Sequence, residues 1–70
     1  MVPLGMTGVG ETSIIRKITG RDEVRQHLAE MGFVVGEQVT VISELGGNLI
    51  LSVKDCRVAL DKSLAMRILV

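Results

Sequence analysis

The segment Leu28-Ala-Glu-Met-Gly-Phe-Val-Val-Gly-Glu-Gln-Val-Thr-Val-Ile42 constrains the fold more than any other part of the chain. Upstream of it, Val24, Leu28 and Met31 fall at i, i+4 and i+7, the spacing of one apolar helical stripe. Asp22 is the expected N-cap, with Glu23 adding a carboxylate to the first turn, where the helix dipole favours it. Gly32 can take the left-handed conformation that ends a helix, because it has no Cβ to clash. With Gly32 at C′, Phe33 becomes C″ and Leu28 becomes C3. Those two positions touch in a Schellman cap, so Phe33, the only aromatic residue, is expected to fold back over the helix end. Val34 to Glu37, with Gly36, then turns the chain, and Val39 and Val41 alternate with polar residues as in a half-buried strand.

Further strands follow from the same alternation. Thr12 to Thr19 is rich in β-branched residues, with Ile14, Arg16 and Ile18 on one face, and Ile15 breaks the pattern in a way that predicts a bulge or burial on both faces. Gly46-Gly47-Asn48 supplies a turn, and Leu49, Leu51 and Val53 alternate in the next strand. Asp55-Cys56 reads as a tight turn, followed by a strand with Val58 and Leu60 inward. Lys62 to Met66 reads as one helical turn that buries Leu64, and Arg67 to Val70 as a last strand. Residues 1–11 are Gly-rich, and Pro3 with Gly5, Gly8 and Gly10 argues against a helix there; Leu4, Met6 and Val9 are expected to pack as an irregular lead-in.

The predicted order is strand, helix, three strands, one helical turn, strand. Short strands joined mostly by hairpins favour a mainly β fold: a small SH3-like antiparallel β-barrel, closed or nearly so, with one inserted α-helix plugging an open end. The last strand is expected beside the first, which would remove exposed edges. Seventy residues make a single domain, 1–70. Its core is almost entirely aliphatic, so marginal stability and gain from a partner or weak self-association are expected.

Composition narrows the function. The formal net charge is zero, whereas nucleic-acid binders usually carry a basic excess and stacking aromatics. One cysteine excludes an internal disulfide and suits a reducing compartment. No signal peptide is visible, and no apolar stretch approaches the roughly 20 residues of a membrane helix. A cytoplasmic location is expected, without direct membrane insertion.

These residues resemble the FeoA family, small cytosolic proteins of bacterial ferrous-iron uptake. The likeness rests on Gly10-Glu11, Ile18 with Gly20, Leu28-Ala-Glu-Met-Gly-Phe33 with Gly36, Val39-Thr-Val41, Val58-Ala-Leu60, Leu64-Ala65 and Ile68-Leu-Val70. Met31, Gly32, Phe33 and Gly36 form its structural signature. Asp55 departs from the pattern, since such sequences tend to have Gly there. A similar domain ends iron-dependent repressors, but the helix-turn-helix and metal-binding region that precede it there have no counterpart in this chain. The resemblance implies a binding module and not an enzyme, with no cofactor. It implies docking on the cytosolic side of FeoB, a membrane iron transporter with a GTP-binding domain, and so a peripheral position at the inner face of the membrane.

Little in the chain suggests chemistry of its own. Cys56, His27 and scattered serines form no recognised catalytic motif, and Gly5, Gly8 and Gly10 lack the Lys-Ser/Thr and following helix of a P-loop. Glu23, His27 and Glu30 share a helix face by spacing and are the candidate metal ligands; such spacing also marks an ordinary solvated face. Phe33 and its neighbours, with Leu45 and Ile50, are the candidate partner contacts, and Arg16, Lys17 and Arg21 together with Arg57, Lys62 and Arg67 are a candidate basic patch. Two other readings stay open. One is a metal-sensing or metal-delivery protein using the helix triad. The other is a nucleic-acid-binding SH3-like module, suggested by Gly36 to Ile42.

Overall fold

In a computed structural model, which describes all residues 1–70, nine short elements surround one apolar core. After a single 3-10 turn at Leu4–Met6 come β1 (Thr12–Ile14), β2 (Lys17–Ile18), α1 (Asp22–Glu30), β3 (Gln38–Leu45), β4 (Asn48–Val53), β5 (Cys56–Asp61), α2 (Lys62–Ala65) and β6 (Ile68–Leu69). Antiparallel pairing gives a four-stranded sheet in the order β1-β3-β4-β5 and a second sheet of β2 and β6. Twelve apolar residues form the core, including Ile15, Leu28, Phe33, Val39, Val41, Leu49, Leu51, Val53, Leu60 and Ile68. The alternation predicted for β3 and β4 is met residue by residue as far as Val41. There a bulge shifts the register between Val41 and Ser43.

The barrel is not closed. Ile15 is buried, and its N–H donates to the Glu37 carbonyl at 2.9 Å while its own carbonyl accepts from Gly36 N–H at 2.8 Å. One residue on, Arg16 N–H donates to the Leu69 carbonyl at 2.8 Å. The predicted first strand is thus bent at Ile15–Arg16 into two pieces, one pairing with β3 and the other with β6. The last strand does lie beside the first, through β2, and the Val2 and Val70 main chains pair on its other side. The outer edge of β5 is left without a neighbouring strand, contrary to the expectation that no edge would remain.

The end of α1 follows its sequence signature. Phe33 N–H donates to the Leu28 carbonyl and Gly32 N–H to the Ala29 carbonyl, both at 2.9 Å, the two bonds of a Schellman cap. Gly32 has φ +102°, a conformation that costs a residue with a Cβ about 1–2 kcal/mol. At the other end Asp22 is not the cap: Arg21 holds that position, without a side-chain capping bond. Asp22 stands inside the first turn and pairs with Arg25 at 2.6 Å.

Smaller departures are local. The β4–β5 turn is Lys54–Asp55, one residue earlier than predicted, with φ +49° and +62°. Both central residues are therefore left-handed, the geometry in which Asn-Gly is favoured. Ala65, not Leu64, is the fully buried residue of α2, with Leu64 half-buried. In the lead-in Leu4 is buried within the 3-10 turn, but Met6 and Val9 are exposed. No helix is long and apolar enough to cross a membrane.

Two substitutions should move stability in opposite directions. Gly32→Ala is expected to cost about 1–2 kcal/mol, and Asp55→Gly to add about 1 kcal/mol, because each changes the cost of a left-handed residue. Urea denaturation of both variants checks this. A third expectation concerns pH. Asp61 caps α2, accepting bonds from the Ser63 hydroxyl and the Ser63 N–H, and these hold its carboxyl below its ordinary value of 3.8. A lowered folded-state value means the cap stabilises above that ordinary value and the benefit is lost as pH falls through the folded one. Asp61→Ala should therefore lower Tm at pH 7, with the gap to the parent protein closing as pH falls below the ordinary value of 3.8. Thermal melts across pH 2–7 measure it.

Candidate functional site

Two observations direct attention to one face. The first is that the bend at Ile15 turns Arg16 and Lys17 outward, where both are exposed and neither forms an ion pair. The second is that the Schellman cap buries Phe33 completely and carries Val34 and Val35 back across the helix end, leaving Val35 65% exposed. Between these segments and α1 runs a groove of about 660 Å³. One wall is Arg16, Lys17 and Ile18. The opposite wall comes from Asp22, Arg25, Gln26 and Ala29, and Val34 with Val35 completes the apolar part. Three cations thus face one carboxylate, and that carboxylate is already paired with Arg25. The groove can hold a segment that brings both apolar side chains and negative charge.

The candidate residues from the sequence are not brought together. Phe33 borders the groove but is 0% exposed, so it serves as the core block under it and not as an open contact surface. Leu45 is 74% exposed at the far end of β3, about 23 Å along the strand from Gln38. Ile50 is half-buried opposite Ser43 on the β3–β4 hairpin. Glu23, His27 and Glu30 are all exposed on α1, and no three His, Cys, Asp or Glu side chains converge as a metal site. Cys56 is exposed at the start of β5, and no hydrogen bond joins it or His27 to a base.

Sequence reasoning does not single out Arg25 and Ala29, and it reaches Val34 and Val35 only as neighbours of Phe33. Their shared face exists only once the cap has folded the chain back. Arg16 and Lys17 did carry a signal: two adjacent cations directly after the break in alternation at Ile15.

Comparison with known proteins places the fold. A family model described as the FeoA domain matches residues 2–70. The chain belongs to the FeoA domain family. It is 36% identical over 70 residues to a protein of Methanocaldococcus jannaschii provisionally named Fe(2+) transport protein A, covering all of this chain and 85% of that one. A crystal structure of an iron uptake regulatory protein, FeoA, superposes with a TM-score of 0.89 at 37% identity, over 96% of this chain and 89% of the other. FeoA of Stenotrophomonas maltophilia in complex with zinc has a TM-score of 0.82 at 26% identity, covering 94% and 85%. That protein is described as a procaryotic SH3 domain protein and a candidate ferrous iron transport activating factor. The family is one of transport accessory proteins.

If Phe33 is core and Leu45 is surface, truncation should separate them sharply. Phe33→Ala is expected to cost about 3–5 kcal/mol, most of the stability a domain of this size has. Leu45→Ala should stay within about 0.5 kcal/mol. Chemical denaturation of the two variants, side by side, provides the measurement.

Proposed function

We propose that this chain is a non-enzymatic accessory protein of ferrous-iron transport, acting in the cytoplasm by docking on the cytosolic side of a FeoB-type GTPase transporter. The observation that carries the reading is the groove beside α1, with its apolar floor and its two unpaired cations, Arg16 and Lys17. Family membership supplies the setting in iron transport. The groove supplies a surface suited to a protein segment carrying carboxylates. Opposite charge across such an interface speeds encounter and fixes register, and the apolar floor contributes burial. The chain sits at the membrane only through this partner. It biases the transporter among conformations by as much as its affinity differs between them, and no further.

The groove fits a protein better than a nucleic acid. No aromatic side chain is exposed, since Phe33 is fully buried, so there is no platform for base stacking. The cations of the groove are also balanced by acidic residues elsewhere, giving no net basic field.

Binding of the chain to the transporter's cytosolic portion, measured by calorimetry, tests the reading. The double substitution Arg16→Glu with Lys17→Glu is expected to weaken binding about tenfold or more and to leave Tm unchanged, because both side chains are exposed and unpaired. Absence of binding to both the cytosolic portion and the full-length transporter at high micromolar concentration would sink the docking reading. Undiminished binding by the double variant would remove the groove from it.

A further inference from the structure

The open barrel leaves one long edge strand, and its pattern is self-complementary. β5 pairs with β4 without a register shift from Val53↔Cys56 to Asn48↔Asp61. The two-residue Lys54–Asp55 turn makes Val53 and Cys56 a hydrogen-bonded pair, and the alternation of an antiparallel ladder then directs the main-chain groups of Cys56, Val58 and Leu60 toward β4. Those of Arg57 and Ala59, and the N–H of Asp61, point away from it. None of the backbone hydrogen bonds outside the sheet and helix ladders involves Arg57 or Ala59. The side chains of Arg57, Ala59 and Asp61 are exposed, and Arg57 forms no ion pair.

Natural edge strands are usually short, bulged, interrupted by proline or covered. The other free edge, β1, is three residues long and ends at the bend before Arg16. β5 has six residues with no proline and no bulge. Its one defence is charge, and that charge is arranged with two-fold symmetry about Ala59: Arg57 stands two residues before it and Asp61 two residues after.

We propose that β5 is a self-association edge, at which a second copy of this chain pairs antiparallel about a two-fold axis through Ala59. In that register Ala59 faces Ala59 of the second copy, and the two exchange both N–H···O=C bonds. Arg57 faces Asp61 of the second copy, and the reciprocal pair forms by symmetry. The Asp61 N–H donates to the Arg57 carbonyl of the second copy. The Asp61 carbonyl is unavailable, because an N-cap carbonyl already accepts the first bond of its helix, here α2. Both Ser63 bonds end on Asp61 Oδ1, and Oδ2 is the atom that meets the guanidinium. The small Ala59 side chain lets the strands meet without obstruction. A foreign strand would need to match this charge order, whereas a second copy matches it automatically. Four main-chain bonds and two exposed ion pairs make a weak dimer. The α1 groove is not part of this edge.

Sedimentation velocity on the full chain tests the proposal. The parent protein, 7.6 kDa as a monomer, is expected to shift toward twice that mass between about 10 μM and about 1 mM, the range of weak complexes. Ala59→Pro removes the outward N–H without breaking a bond to β4 and is tolerated on an edge strand. Arg57→Asp sets two carboxylates opposite each other. Both variants should stay monomeric throughout that range, with the parent's circular dichroism. Should Ala59→Pro fail to fold, Arg57→Asp decides alone. A parent protein that is monomeric at about 1 mM overturns the proposal. So does a dimer that persists in the variants. A chain that is monomeric alone but loses transporter binding on Ala59→Pro assigns the edge to the transporter and overturns self-pairing.

Discussion

Two backbone hydrogen bonds at the end of α1 govern what lies downstream. Phe33 N–H to the Leu28 carbonyl and Gly32 N–H to the Ala29 carbonyl reverse the chain within a few residues. That reversal delivers the one aromatic side chain into the core beside Leu28, both at 0% exposure. In a core otherwise aliphatic, Phe33 is the largest single block of buried apolar surface, so the local cap and the global core are coupled. The loop that leaves the cap is then fastened by Gly36 N–H to the Ile15 carbonyl. This ties the helical excursion to the bend in the first strand and holds Val34 and Val35 as a wall instead of a loose connection.

The bend at Ile15 is the second constraint. Ile15 is held by Glu37 and Gly36 on one side, and Arg16 is held by Leu69 one residue later. A strand handed between two partners in this way cannot continue straight. The four-stranded sheet and the β2–β6 pair therefore part at this point. The same bend presents Arg16 and Lys17 to the groove. The basic wall is thus a consequence of one break in alternation.

Much of this was legible in the sequence because it depends on local rules. The Schellman cap follows from the spacing of Leu28, Gly32 and Phe33. The buried faces of β3 and β4 follow from period-two alternation, and the irregularity at Ile15 from its failure. What was not legible depends on competition between neighbours or on long-range closure. Asp22 resembles an N-cap until Arg25 is seen to claim its carboxylate. The turn at Lys54–Asp55 lacks the expected Gly, and the pairing of Val53 with Cys56 places it one residue earlier. Openness of the barrel is set by which strand β5 fails to reach, which no local pattern encodes. The candidate contacts are dispersed for a related reason. Phe33, Leu45 and Ile50 were grouped by apolar character, and burial separates them into core, hairpin tip and half-covered strand.

Folding and recognition share residues in a domain this small. The wall of the groove begins one residue after Phe33, and its other side begins one residue after Ile15. A ligand held there touches Val34, Val35, Arg16 and Lys17, whose positions exist only when the cap and the bend are formed. Such a ligand binds the folded chain and not the unfolded one, so it adds stability in proportion to the logarithm of its concentration over its dissociation constant. A small aliphatic core gives a modest margin of its own. Occupancy of the groove then protects the cap as much as the cap shapes the groove. Weakening either through Gly32 or Phe33 lowers the apparent affinity without removing a single contact, because a smaller fraction of the chain is competent to bind.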